Sequence, residues 1–442
     1  MKTILIMLLA GLPVLVGAQE KKRTLEECMR YAVENSTRTA KLKAQNEIYA
    51  ADRQEAIAGF FPSLNMETGL SMSFGRSLDP ETNGYINTTT WRNNYEVYSS
   101  MPLFNGFSRV FKAKSAKINR LKGLDELQDA NDMIAYETME LFFNVQYYMG
   151  TVRLAEEQLD ESVDNLKRFE RMEELGLKSA PDVAEIRAKE AEDRYSLTRQ
   201  KNLYKLELIK LKEKMNFPID AELEITNVDA GLLIDTSKEN VLDVYRKMLQ
   251  ISPQVAAAGK ALEISRLNLK MAKGNALPRI LLNGSYSTGF SRLMDGSEYM
   301  HFKDQLKNRQ GTAVGISLSI PILNGLTRAS EIKRSKSRLE IAENEHQELL
   351  RRVYSEIEQT VADVNGLSDE YLHAKQRTDA MKAAHQVNTR KYEEGLIDAM
   401  ELSTSANRLL QSQIEELYTN LKYQLKHRLL EYYKGNAPLY LP

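Results

Sequence analysis

One segment of this chain occurs twice. Pro102 to Arg109 reads PLFNGFSR, and Pro321 to Arg328 reads PILNGLTR, 321 − 102 = 219 residues later. Pro, Asn, Gly and Arg are identical, and the remaining positions exchange like for like. An alternating apolar/polar stretch precedes each occurrence, and a long heptad-like run follows it. A chain built this way is two copies of one unit, and each copy joins a strand pattern to a coiled-coil pattern.

The strand pattern has a membrane character. Met66, Leu70, Met72 and Phe74 alternate with small or polar neighbours, as do Tyr95, Val97 and Met101. Ile280, Leu282, Tyr286 and Phe290 form a third apolar face, and Val314, Ile316, Leu318 and Ile320 a fourth. Stretches of about ten residues with one greasy and one small polar face suit tilted strands crossing a bilayer. Polar segments from Gly75 to about Asn93 and from Ser291 to about Gly311 are expected as long outer loops. Phe60, Phe61, Phe74, Trp91, Phe104, Phe107, Phe290 and Phe302 gather at the strand ends, as an interfacial girdle does. Four strands do not close a barrel, since about eight are needed. An open edge in lipid leaves backbone groups without partners. The expectation is therefore a barrel shared between several copies of the chain.

Helical stretches open both copies, from Leu25 to about Ala58 and from Leu242 to about Lys273. Pro62 and Pro278 stop them, because the residue before proline avoids helix. Beyond the Asn-Gly turns, Ser108 and Thr327 are candidate caps for two long helices. The second helix shows a seam through Leu339, Ala342, His346, Leu349, Val353, Ile357, Thr360, Val364, Leu367 and Tyr371. Its period lies between those of a straight helix and a heptad coiled coil. Gly176 and Gly395 are placed as left-handed C-caps at the reversals. Ser179 and Asp398 start the returning helices, with Asp182 and Glu401 three residues on. Leu177 and Leu396 follow the two glycines, and an apolar residue at an exposed tip invites a partner. The returning helices run to about Lys214 and Tyr433; residues 215–240 link the copies and, with the C-terminal tail, are expected to form a small collar.

Residues 1–18 read as a secretory signal, with Lys2 before an apolar stretch and Val16-Gly17-Ala18 before the cleavage point. That gives three segments: the signal at 1–18, a first repeat over 19–240 and a second over 241–442. Cys28 is the only cysteine, so a disulfide framework and a cysteine metal site are excluded, and it lies too far downstream for lipidation. The mature chain keeps 60 − 1 = 59 basic residues against 61 acidic ones, interspersed along helices. That balance gives no footprint for nucleic acid.

With these features in place, the chain resembles the TolC family of outer-membrane efflux and secretion channels over its whole mature length. The helix-to-Pro-to-strand entries, the duplicated Asn-Gly turns and the Gly-Leu tips carry the likeness. The resemblance implies an α+β membrane protein with a long antiparallel α-helical coiled-coil barrel. It also implies four transmembrane β-strands per chain in a shared trimeric β-barrel. It implies a homotrimer in outer-membrane lipid, with its helical tunnel in the periplasm, working with a periplasmic adaptor and an inner-membrane transporter. Asp182 and Tyr392 match positions that form a latch at the closed tip, and Glu401 an acidic position near the gate. Gly176, Leu177, Gly395 and Leu396 match the tip where the adaptor docks. The chain departs from some members in having Ile397 for a latch Arg and Thr404 for a second acidic residue, so its gate leans less on salt bridges. Family turns often carry a second Gly, where this chain has Phe107 and Leu326.

Catalysis has no footing in the sequence. His301, His346, His373, His385 and His427 are scattered, and no HExxH, GxSxG, Walker A or GxGxxG motif occurs. No enzyme activity, cofactor or metal is expected. A periplasmic coiled-coil structural or adaptor protein is the rival reading, which explains the helices and leaves the four alternating strands without a purpose.

Overall fold

A computed structural model describes residues 22–78, 83–227, 239–294, 298–323 and 325–439. The signal segment, Asn324, the middle of the linker and the last three residues lie outside the described residues. The first copy comprises α1 (Leu25–Glu34), α2 (Thr37–Ala58), β1 (Ser63–Leu78), β2 (Tyr85–Asn105), α3 (Ser108–Glu174) and α4 (Ala180–Lys214). The second comprises α5 (Val241–Ile251), α6 (Pro253–Gly274), β3 (Arg279–Leu293), α7 (Phe302–Asn308), β4 (Gly311–Ser319), α8 (Thr327–Glu393) and α9 (Ala399–Tyr433). Long helices α3 and α8 have 67 residues each, and returning helices α4 and α9 have 35 each. The repeat read from an eight-residue motif thus extends to element lengths.

Two expectations about the opening helices and caps need correction. Each opening stretch is two helices, broken at Asn35-Ser36 and at Ser252, where Ser36 and Ser252 side chains accept from backbone amides of the next turn. A serine able to cap a new helix, followed in one copy by Pro253, favours the break. Ser108 and Thr327 do not precede their helices; they are the first helical residues. The Ser108 hydroxyl instead donates to Asn275 Oδ1 at 2.9 Å and reaches Met271 O at 3.3 Å, tying the turn to the end of α6.

The chain divides into two compact units, one of residues 41–128 and 252–352, the other of residues 1–40, 129–251 and 353–442. The first holds an antiparallel sheet in the order β1-β2-β3-β4. Its strands are longer than expected in three cases, with 16, 21 and 15 residues in β1, β2 and β3 and 9 in β4. The first expected loop is mostly strand, since β1 and β2 pair as far as Leu78↔Tyr85. Thr88-Thr89-Thr90-Trp91 favours extended backbone despite its polarity, which is why polarity alone misplaced the boundary. The second expected loop contains α7. Past Ser287, β3 has no β4 partner, and the buried Gln305 of α7 takes that place. It accepts from Ser291 N at 2.9 Å and donates to Ser291 O at 3.0 Å and Met300 O at 2.8 Å.

At both strand-to-helix turns two consecutive residues have positive φ: Gly106 (63°) and Phe107 (62°), then Gly325 (58°) and Leu326 (63°). A side chain in that region costs about 1–2 kcal/mol, so the two non-glycine positions are strained. Gly106 is required twice over, because a Cβ there would meet the Gly274 carbonyl of α6.

The other unit has a core in which Leu25, Cys28, Met29, Ala32 and Val33 of α1 pack against Phe142 of α3, Leu211 of α4 and Leu425 of α9. Cys28 is fully buried there, and burial pushes its thiol up to about 12. The start of the linker joins this core: Arg23 and Ile225 form a parallel bridge, and the Arg23 guanidinium lies over Tyr31 and Phe217. Along α8 the seam is buried from Leu349 through Val353, Ile357, Thr360 and Val364 to Leu367. Among the described residues no helix is long and apolar enough to cross a membrane.

Candidate functional site

The sheet presents two chemically different faces. Cross-strand register puts Met66 beside Val97, and Tyr286 beside both Val97 and Thr312, on the apolar face. Leu64, Met66, Leu70, Phe74, Val314, Ile316 and Leu318 on it are 60–78% exposed, a contiguous greasy surface of a size that soluble monomers rarely leave open. Asn65, Asn94, Ser285, Ser287, Gly315 and Ser317 share the opposite face with Arg92 and the directly paired Glu67 and Glu96. All nine residues of β4 are exposed. Within the described sheet β4 and β1 each have one unpaired edge. A bulge between Pro102 and Phe104 rotates β2, so that Phe104 pairs with Ile280 on the apolar side. Phe104 then meets the strained Phe107 edge-on at 5.3 Å.

At the helix reversals the two copies use one geometry. Gly176 N donates to Glu173 O and Leu177 N to Met172 O, both at 2.8 Å; Gly395 and Leu396 repeat this on Tyr392 O and Lys391 O. These are Schellman closures, which require the positive φ that both glycines have. Leu177 and Leu396 are 69% and 68% exposed beside them. Asp182 completes a capping box: its carboxylate accepts from Ser179 N at 3.1 Å and from Ser179 Oγ at 2.8 Å. Those bonds hold its pKa below the ordinary aspartate value. Asp398 accepts from Glu401 N at 2.8 Å, leaving the Glu401 side chain exposed. Thr404 donates back to Met400 O at 2.8 Å.

Tyr392 is buried at the heart of the tip. Its ring stacks on Phe169 at 5.7 Å and 10°, in a cluster with Val183, Ile186 and Leu402. Burial pushes its phenol up to about 12, with the Asp182 charge adding to the effect. Its Oη has no hydrogen-bond partner among the described residues. Within this chain Tyr392 and Asp182 form no hydrogen bond; the Asp182 Oδ2 atom accepts both cap bonds from Ser179. Ile397, where a latch Arg was considered, packs on the same apolar cluster.

With this geometry in hand, comparison with known proteins is informative. Residues 244–434 match the family model described as outer membrane efflux protein. No curated protein matches the chain. Among solved structures, the transmembrane channel protein CusC superposes with a TM-score of 0.80 at 16% identity, covering 93% of this chain and 92% of that one. The outer-membrane protein VceC of Vibrio cholerae gives 0.78 at 14% identity, over 93% of this chain and 96% of that one. The Campylobacter jejuni CmeC outer membrane channel gives 0.78 at 13%, over 95% and 87%. The fold is TolC-like. The likeness stated from the turns and tips holds in sequence over the second copy and in fold over nearly the whole chain.

Within this TolC-like fold the structure brings Tyr392 into the tip cluster, leaves Asp182 half-buried and keeps Glu401 and Thr404 exposed. It also reveals a polar layer that the sequence reading missed. Asp193, only 4% exposed, accepts from Lys189 Nζ at 2.7 Å and bonds the Ser162 hydroxyl; Lys189 also reaches Asn407 at 2.9 Å. His385 lies 3.2 Å from Glu161 and 3.4 Å from Ser405. Four helices meet there around a cavity with about 30 Å³ of room for water, lined also by Tyr392. One signal was present: on α4 the buried positions Val183, Ile186, Glu190 and Asp193 fall at helical spacing, so two acids occupy core positions.

Proposed function

We propose that this chain is one subunit of the outer-membrane exit duct of a tripartite efflux or type I secretion system, a homotrimer that docks a periplasmic adaptor and through it an inner-membrane transporter. One observation carries the reading: a four-stranded sheet with an exposed apolar face and unpaired backbone along both edges. In lipid such edges must be closed, and three copies supply twelve strands for a barrel with a polar lumen. The efflux-protein family match and the channel folds support the same reading. The long αα-hairpins would continue the barrel as a periplasmic tunnel, with Gly176, Leu177, Gly395 and Leu396 as the adaptor-docking tip. Asp182, Tyr392, Glu401 and Thr404 would stand at the gate. A latch would join Tyr392 to Asp182 or to a polar group of another subunit. The rival reading as a periplasmic coiled-coil structural or adaptor protein leaves the greasy sheet face without a covering.

The test is membrane residence together with conductance. The protein should stay in the membrane fraction through a carbonate wash and conduct in planar bilayers. Release by carbonate would favour the soluble rival. Leu177→Asp with Leu396→Asp should abolish export while insertion and conductance persist; unchanged export would remove the tip from the docking surface.

A further inference from the structure

Three consecutive rungs on the polar face of the sheet border an open cavity of about 550 Å³. Arg92 lies opposite Ser291, Asn94 opposite Gly289 and Glu96 opposite Ser287. The middle rung keeps the floor low, since Gly289 has no side chain and a Cβ there would meet Asn93 O at 2.9 Å. One wall is open for a related reason. Beyond Ser287↔Gly311 β3 has no β4 partner, and Arg309, the residue that ends α7, lines the cavity there instead. Its guanidinium donates to Ser291 Oγ.

Two guanidiniums from separate elements thus share one end of the cavity, the end farther from the strand-to-helix turns. Among the described residues neither has a carboxylate within ion-pair distance, and the Arg92 side chain has no polar partner. Glu96 lines the other end, four positions from Arg92, or about 13 Å along an extended strand. Its β1 neighbour is Glu67. The cavity is therefore cationic at its outer end, neutral in the middle and acidic at its inner end.

The duplication shows that the fold does not need these charges. The 219-residue offset carries Arg92 onto Gly311 and Glu96 onto Gly315, and the entry offset of 278 − 62 = 216 carries Glu67 onto Asn283. The second hairpin pairs its strands with none of them.

We infer that this cavity binds an oxyanion, the carboxylate or phosphate group of a small polar solute, held between Arg92 and Arg309. Planar guanidinium forks match such groups with two parallel hydrogen bonds, and the volume is that of a small-molecule site. Asn94 and Ser287 supply polar contacts along the floor, while Glu96 repels a second anionic group and favours a neutral or cationic far end. The site stands on the geometry of the single chain; its place in a lumen rests on the duct reading above. In that reading the arginines lie near the mouth opposite the helical tunnel, where an exported solute leaves.

Calorimetric titration of the detergent-solubilised protein with inorganic pyrophosphate at low salt tests the site. The parent should bind about one equivalent per chain. Arg92→Gln, which removes no contact within the chain, should weaken binding roughly ten-fold, as should Arg309→Gln. Arg92→Lys should restore part of the loss, because it keeps the charge without the fork. Glu96→Gln should tighten binding about two-fold. Arg292→Gln removes the same charge from the apolar face, where Arg292 lies over Tyr299, and should change nothing. No binding by the parent, or an equal loss in Arg292→Gln, overturns the site. Conductance in planar bilayers is measured on the same samples, and pyrophosphate should reduce it in the parent more than in Arg92→Gln. A conducting protein whose pyrophosphate affinity ignores both arginines removes the site and leaves the duct. A protein that binds through both arginines and never conducts removes the duct and leaves the site.

Discussion

The two strand-to-helix turns have nearly one sequence and two environments. Gly106 is pressed against the backbone of Gly274, and its strand is paired to the last residue. Around Gly325 no described residue lies within 4 Å of a would-be Cβ, and β4 has ended at Ser319. The sequence does not encode that difference; the presence of a neighbour does. Strand length at an edge is a property of the pair, and β4 has no such pair beside residues 320–323 among the described residues.

The sharpest way to break this comparison is to fill both turns. Gly106→Val should cost roughly 3–5 kcal/mol, from backbone strain plus overpacking against α6, while Gly325→Val should cost about 1–2 kcal/mol from strain alone. Thermal unfolding in detergent separates them, and equal losses would mean that the second turn is as crowded as the first. A smaller contrast lies across one peptide bond of β4. Ile316→Arg should lose about 2–4 kcal/mol of membrane stability and Ser317→Arg almost none, since only the first faces lipid. Equal insertion of the two variants would sink the assignment of faces.

Much of this was legible beforehand, for a physical reason. Pattern and punctuation are local: alternation, the prolines at 62 and 278, and the glycines at 176 and 395 each act through their own backbone. Elements and tips followed from them. What escaped depends on distant groups. Gln305 substitutes for a missing strand, and Ser108 serves α6 instead of its own helix. Asp182 was placed in both a cap and a latch, and the cap is formed through Ser179, three residues away. The polar layer of Asp193, Lys189 and His385 draws on four helices, and only the two acids at core positions of α4 announced it.

Tyr392 sharpens the comparison of cap and latch. Its buried Oη has no acceptor, so Tyr392→Phe should leave neutral-pH stability unchanged or raise it by about 1 kcal/mol. The sign with pH follows from the phenol being raised from 10.0 to about 12: its stabilising share is whole below pH 10 and is lost as pH climbs towards 12. The variant should lack that alkaline loss, as melting curves of the two proteins side by side would reveal. A clear loss at neutral pH would mean that the hydroxyl finds a partner in the assembly.

The smallest expected effect compares the hairpins on their polar face. Glu67 sits directly across from Glu96, where the second hairpin has Asn283 across from Gly315. Relieving the like-charge pair with Glu96→Gln should gain about 0.2–1 kcal/mol, more at low salt than at high. No gain at low salt would place counter-charges beside the pair.

The assignment of the lipid face assumes that the open edges of β1 and β4 are closed by further copies of the chain. The most direct check is the mass of the protein extracted from membranes in mild detergent. Three chains per particle, persisting on dilution, is the expected result. A single chain that inserts in bilayers and remains folded there would contradict it, because its strand edges would then stand unpaired in lipid.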